Sequence, residues 1–163
     1  MEWKNMDSVS NTLRFEFEIT TNDATSLKEP QQLLLGIVGN FAVRVDEKTL
    51  YEEVEFCLVE FAMHISKWLR EVTITNEDFV YESMESDEGG LVWIKRSGLG
   101  WRIGSVHQAY EEQKEFRLEE ISIAVKEYSA RLSEELFNKL GLAINLQAKS
   151  IDELRLSTRQ DCD

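Results

Sequence analysis

The chain has 163 residues, 42% of them hydrophobic, and a formal net charge of −13. This length predicts one domain with a single core. The acidic balance argues against nucleic acid and against an anionic membrane as partners, because both bind basic patches, whereas a basic protein partner is compatible with it. No apolar run approaches the ~20 residues that span a bilayer. We find no secretion signal and no cysteine spacing typical of a disulfide, and therefore expect a cytoplasmic protein.

The beginning of the chain predicts a leader followed by a strand. We expect residues 1–11 to be a loose leader, residues 12–149 a single α+β domain, and residues 150–163 a short C-terminal helix or a frayed tail. In Leu13–Thr20 apolar and polar residues alternate, which is typical of a strand with one face on the core and one in water.

A second β region is expected at Leu33–Val45, and its pattern fits two structures. It could be one long strand that bends at Gly36 and Gly39. It could also be a hairpin that turns at Gly39-Asn40. Both leave an apolar face, and we favour the bent strand.

The densest helical pattern in the chain is Val54–Arg70, in which Val54, Leu58, Phe61, Ile65 and Trp68 share one face. The helix could begin at Thr49, where a capping-box spacing occurs. Alternatively, residues 49–52 form a short returning strand and the helix begins near Val54.

The second half of the chain predicts three strands and a second helix. The strands are Phe79–Met84, Leu91–Arg96 and Trp101–Val106, separated by Gly-containing turns, which indicates a meander. The helix runs from about Arg117 to Leu140 and ends at Gly141. The expected fold is α+β, an antiparallel sheet of about five strands in the order β-β-α-β-β-β-α with two long helices packed on one face.

No familiar catalytic motif occurs in the sequence, and we expect no cofactor and no metal. Glu60 and His64 stand four residues apart on the polar side of the first helix, but two ligands do not make a metal site. A non-catalytic protein is therefore expected.

The best candidate for a binding surface is an acidic stretch, Glu71–Leu91, which contains no Lys or Arg. Acids interleaved with an aromatic residue would suit a basic partner. The candidate contact residues are Glu77, Asp78, Tyr81, Glu82, Glu85, Asp87 and Glu88. A second candidate is a ridge of Phe56, Val59 and Met63, which either packs inside the protein or forms a dimer or partner patch.

Three short motifs carry a resemblance to a known kind of protein. They are Glu60-Phe61-Ala62, Lys67-Trp68-Leu69, and Gly100–Ser105 (GWRIGS) leading into a Glu-rich helix. In these motifs the chain resembles a family of short, acidic bacterial proteins, some of them thought to be immunity proteins of toxin systems. The resemblance implies the fold, and no functional residue carries over.

The leading hypothesis is an acidic immunity or inhibitor protein for a basic bacterial toxin domain. One alternative is a small-ligand binder or enzyme with a pocket between sheet and helices, walled by Tyr81, Trp93 and Trp101. Another is a structural homodimer built on the Phe56–Met63 ridge.

Overall fold

A computed structural model describes residues 13–83 and 89–154 of the chain. The first strand, β1 (Leu13–Ile19), confirms the alternating pattern, since Leu13, Phe15 and Ile19 are buried. It pairs antiparallel with β2 (Val38–Val45), and β2 pairs with β3 (Lys48–Cys57), giving a three-stranded sheet in the order β1-β2-β3.

Both interpretations of Leu33–Val45 are wrong. Its first part belongs to a short helix, α1 (Pro30–Gly36), which buries Leu33 and Leu34. Pro30 stands in the first turn of α1, where its missing N–H costs nothing, and Gln32 accepts a hydrogen bond from the backbone N–H of Glu29. The strand therefore begins only at Val38.

The helix predicted at Val54–Arg70 begins later and extends further, as α2 (Leu58–Thr75). Residues before it form β3, so Val54 lies in a strand with 67% of its surface exposed. A bulge opposite Asn40 breaks the alternation of β3, and Glu55 there has a positive φ of 53°. Because the bulge interrupts the alternation of apolar and polar residues, the sequence pattern does not reveal this ten-residue strand.

The meander is confirmed as a second three-stranded antiparallel sheet, in the order β4-β5-β6. Its strands are β4 (Phe79–Tyr81), β5 (Val92–Ser97) and β6 (Gly100–Gly104). The single sheet of about five strands is thus wrong, because the strands divide between two sheets.

The second long helix is confirmed as α3 (Leu118–Leu140). It ends as predicted, with Gly141 in the left-handed conformation and the Leu142 N–H donating to the Leu136 carbonyl. A 3₁₀ turn follows at Ile151–Glu153, and Leu154 is fully buried. None of the helices in the described ranges is long and apolar enough to cross a membrane.

The core is centred on Phe61 in α2, which has no exposed surface. Its ring contacts six other aromatic rings from both sheets and from α3: Phe15, Phe41, Phe56, Phe79, Tyr81 and Tyr128. Six consecutive residues at the start of α2, from Leu58 to Met63, are buried. The first turns of α2 are therefore enclosed on all sides, and the amphipathic pattern begins only after them.

Replacing Gly39 with alanine is expected to destabilise the fold by about 1–3 kcal/mol, the usual cost of overpacking. A Cβ at this position would overlap the backbone carbonyl of Glu18 on β1 and press on Leu58. At Gly36, the contact would be with the end of the Leu27 side chain, which can rotate away. Urea denaturation should thus show a larger loss for Gly39→Ala than for Gly36→Ala, and equal losses would contradict this packing.

Candidate binding surface

The predicted acidic stretch emerges from α2 at Asn76, which ends the helix in the left-handed conformation. Glu77 and Asp78 follow, and both are exposed. The Trp68 Nε1–H donates to the Glu77 carbonyl at 2.8 Å, and the Arg96 backbone N–H donates to Asp78 Oδ1 at 3.0 Å. The first bond holds the backbone at Glu77, and the second holds the Asp78 carboxylate against β5.

The remaining acids of the stretch divide into two groups. Glu82 is exposed. Glu85, Asp87 and Glu88 lie outside the described residues, so their contribution to a surface stays a prediction.

Tyr81 is not a surface residue, so its assignment as a partner contact is wrong. It has no exposed surface, and its hydroxyl donates to Glu60 Oε1 at 2.8 Å. In β4, Phe79 and Tyr81 point inward and Val80 points out. The prediction rested on the acidic neighbours of Tyr81. Side chains alternate between the two faces of a strand, however, and this alternation directs Tyr81 into the core.

The Phe56–Val59–Met63 ridge is also internal, so its role as a dimer or partner patch is wrong. All three are buried, at 3%, 0% and 8% exposure. Phe56 belongs to β3 and stacks on Phe41, with ring centroids 4.0 Å apart. The helical pattern placed Phe56 on the same helix as Val59 and Met63. In the structure only Val59 and Met63 belong to α2, where they lie in its enclosed first turns.

A buried polar cluster surrounds Glu60, which the sequence pattern placed on the polar side of the helix. Glu60 is fully buried, and its Oε1 accepts hydrogen bonds from the Tyr81 hydroxyl at 2.8 Å and the Ser83 hydroxyl at 2.9 Å. Burial raises the pKa of Tyr81, and the negative charge of Glu60 raises it further. The cluster anchors the end of β4 to the start of α2.

His64 lies beside this cluster, with its ring 5.6 Å from that of Tyr81 in an edge-on contact. Burial lowers the pKa of His64, against the opposing effect of the Glu60 charge. Among the described residues, no group of three metal-ligating side chains comes together.

The open face of the first sheet forms a second acidic surface that sequence reasoning missed. α3 packs against one face of this sheet, where Tyr128 contacts Phe15. The opposite face has a shallow groove of about 680 Å³. We name it the acidic groove; its lining includes Glu16, Glu18, Asn40, Ala42, Glu52, Glu53 and Val54.

The register explains how the acids come together. Ala42 in β2 pairs with Glu16 on one side and with Glu52 on the other, so two carboxylates flank a small side chain. Glu18 follows Glu16 on the same face of β1, and it accepts a hydrogen bond from Asn40 Nδ2 at 3.2 Å. The outer strands are two interstrand spacings apart, about 9–10 Å, which leaves a channel floored by Ala42.

The cations of this face are gathered at its other end. Arg14 and Arg44 pair across the sheet, and both donate to backbone carbonyls of the β2–β3 turn. They also form ion pairs with Glu16, at 3.5 and 3.8 Å. Glu18 and Glu52 form no ion pair with a described residue, so the far end of the groove keeps an unbalanced negative charge.

The cleft nearest the predicted stretch has mixed charge. It has a volume of about 410 Å³ and lies between α2, β4 and residues 148–151. Glu71, Glu77 and Asp78 line it, together with Lys67 and Lys149. It is therefore less suited to a basic partner than the groove, whose described lining residues include no Lys or Arg.

The signal for the groove was present in the sequence as Glu52, Glu53 and Glu55, three acids in four residues. One interpretation placed the helix start at Thr49, and the other placed residues 49–52 in a short strand but began the helix near Val54, so neither extended the strand through Glu55. Once β3 is recognised as a strand, Glu52 falls on the open face of the sheet.

The fold and this groove define a small α+β protein with an acidic sheet face that the described part of the chain leaves open. The model of the family described as "Domain of unknown function (DUF7878)" matches residues 15–138, so the chain belongs to that family. No curated protein and no solved structure matches the chain significantly. The family description names no activity, and the resemblance to immunity proteins stays a prediction.

Proposed function

We propose that this protein is a non-catalytic binding protein whose acidic groove receives a basic partner protein. The observation that carries the proposal is the pair of acids without ion-pair partners in the described chain, Glu18 and Glu52, which flank the groove on a face that α3 leaves open. Complementary charge steers association and excludes wrong partners.

The energetic cost of the groove supports the same proposal. The Glu16 and Glu52 carboxylates stand on strands about 9–10 Å apart, and their mutual repulsion adds to the self-repulsion of a net charge of −13. A basic side chain placed over Ala42 would reduce the repulsion between Glu16 and Glu52 on either side. A bound basic partner would therefore relieve electrostatic repulsion that the free protein carries.

In its more specific form, the proposal is an immunity or inhibitor protein for a basic bacterial toxin domain. Toxins that act on nucleic acid need a basic surface, and an acidic groove can compete for such a surface. The resemblance in Glu60-Phe61-Ala62 and Gly100–Ser105 also supports this form.

Reversing two groove charges, Glu18→Lys with Glu52→Lys, is expected to slow association with a basic partner tenfold or more at low salt, within the ~10 to 10³ range of electrostatic steering. Added salt should reduce the difference, because exposed charges are screened within about 8 Å at physiological ionic strength. The measurement is the association rate by surface plasmon resonance, with basic proteins encoded beside this gene as candidates.

Two matched double variants serve as controls. Glu127→Lys with Glu134→Lys makes the same change in net charge on exposed positions of α3, which packs on the other face of the sheet. Glu82→Lys with Glu88→Lys tests the predicted acidic stretch. Equal slowing in all three would mean that bulk charge alone matters, and slowing confined to the Glu82 pair would move the interface to that stretch.

A further inference from the structure

A cleft of about 470 Å³ lies between α2, α3 and the segment that carries Gln147. Leu69, Leu118 and Val125 give it an apolar lining. This size falls within the ~300–1,000 Å³ range of small-molecule sites, which are mostly apolar with a few convergent polar groups. We name it the helix cleft; among the described residues, none lines both this cleft and the acidic groove.

Two cations line the helix cleft from opposite walls, Arg70 on α2 and Lys126 on α3. Neither forms an ion pair with a carboxylate in residues 13–83 or 89–154, although the chain has 31 acids and 18 Lys and Arg. In so acidic a chain, two unneutralised cations on one apolar cleft are complementary to an anion.

Arg70 is held in position by a short chain of hydrogen bonds. Its Nη1–H donates to Gln147 Oε1 at 3.2 Å, and Gln147 Nε2 donates to the buried Ser66 hydroxyl at 3.4 Å. The backbone N–H of Gln147 in turn donates to Asn145 Oδ1 at 3.1 Å. A guanidinium presents five N–H donors, so Arg70 keeps donors for a ligand while Gln147 orients it.

We propose that the helix cleft binds a small organic anion, with a carboxylate between Arg70 and Lys126 and an apolar body against Leu69, Leu118 and Val125. Arg pairs with a carboxylate through two parallel hydrogen bonds, and Lys126 adds a point charge. This site is independent of the groove and of the function proposed for it.

Glu119 also lines the cleft, at the start of α3. Its carboxylate repels an anion and lowers the affinity. Removing this charge should therefore strengthen binding, an effect opposite in sign to the loss of a cation.

The test is a titration of the whole protein, labelled with ¹⁵N, with octanoate and with octanol of equal chain length. Octanoate should give saturable shifts at Ser66, Arg70, Ser122, Lys126 and Gln147, and octanol should bind much more weakly. Arg70→Gln and Lys126→Gln should each weaken octanoate binding about tenfold, the value of one charge-assisted contact. Glu119→Gln should strengthen it.

Lys139→Gln is the matched control, since Lys139 is an exposed cation in the last turn of α3, and it should leave the affinity unchanged. The proposal is overturned if octanoate gives no saturable shifts, or if octanol binds equally well. If Lys139→Gln weakened octanoate binding equally, net charge alone would explain the loss of affinity, and the proposal would also be overturned. Weaker binding in Glu119→Gln would place the anion outside the helix cleft, which contradicts the proposal as well.

Discussion

Replacement of Trp68 by alanine is expected to lower the free energy of unfolding by about 3–5 kcal/mol, as for other large aromatic truncations. Trp68 is 8% exposed and packs edge-on against Trp101, with ring centroids 5.3 Å apart. Its Nε1–H also donates to the Glu77 carbonyl at 2.8 Å. The alanine variant therefore opens a cavity between α2 and the second sheet and leaves a carbonyl without its donor. Urea denaturation followed by far-ultraviolet circular dichroism measures the loss without relying on tryptophan fluorescence.

Trp68→Phe separates the two contributions. It keeps most of the ring packing and removes the N–H donor, so an intermediate loss is expected. A loss below about 0.5 kcal/mol for Trp68→Ala, the scale of surface substitutions, would contradict the burial of this side chain.

Replacing Glu60 with alanine is expected to cost about 2–6 kcal/mol, because two buried hydrogen bonds to its carboxylate are lost at about 1–3 kcal/mol each. The donors are the hydroxyls of Tyr81 and Ser83, both bonded to Glu60 Oε1. The sequence pattern suggested an exposed glutamate on the polar side of a helix. Replacing such a residue would change the free energy of unfolding by no more than about 0.5 kcal/mol. Chemical denaturation at neutral pH distinguishes the two values.

A double-mutant cycle with Glu60→Gln and Tyr81→Phe isolates the bond between these side chains. Residues in direct contact usually show coupling of about 0.5–3 kcal/mol. Additive losses would mean that the cluster is not a connected network. Glu127→Gln, at an exposed position of α3, provides the baseline for losing one glutamate charge.

The parts of the fold that could be predicted are those with a clear period or clear turns. β1 and α3 are present where their periods placed them, and the meander is present where its Gly-containing turns placed it, although β4 ends at Tyr81 rather than Met84. The start of α2 could not be placed in the same way. Its first six residues are buried on every side, so no polar face marks the helix, and Glu60 is paired internally rather than solvated.

The acidic groove required knowledge of which strands are neighbours. Glu16 and Glu52 are far apart in sequence, and only the pairing of both strands with Ala42 brings them to one surface. Net charge predicted an acidic surface, but charge alone does not locate one. Likewise, Arg70 and Lys126 stand on different helices, and only the packing of α2 against α3 places them on one cleft.

The bulge in β3 has a consequence for the behaviour of the protein at high concentration. β3 is an edge strand of its sheet, and although the Ala109 N–H donates to its Leu50 carbonyl, residues 52–55 are exposed. An exposed edge is a template on which a second chain can add a strand. The left-handed backbone at Glu55 twists this edge out of register, and Glu52, Glu53 and Glu55 place negative charge along it. A second molecule brings the same charges to the same edge, so the two edges repel each other. We therefore expect the strand that lines the groove to resist edge-to-edge self-association.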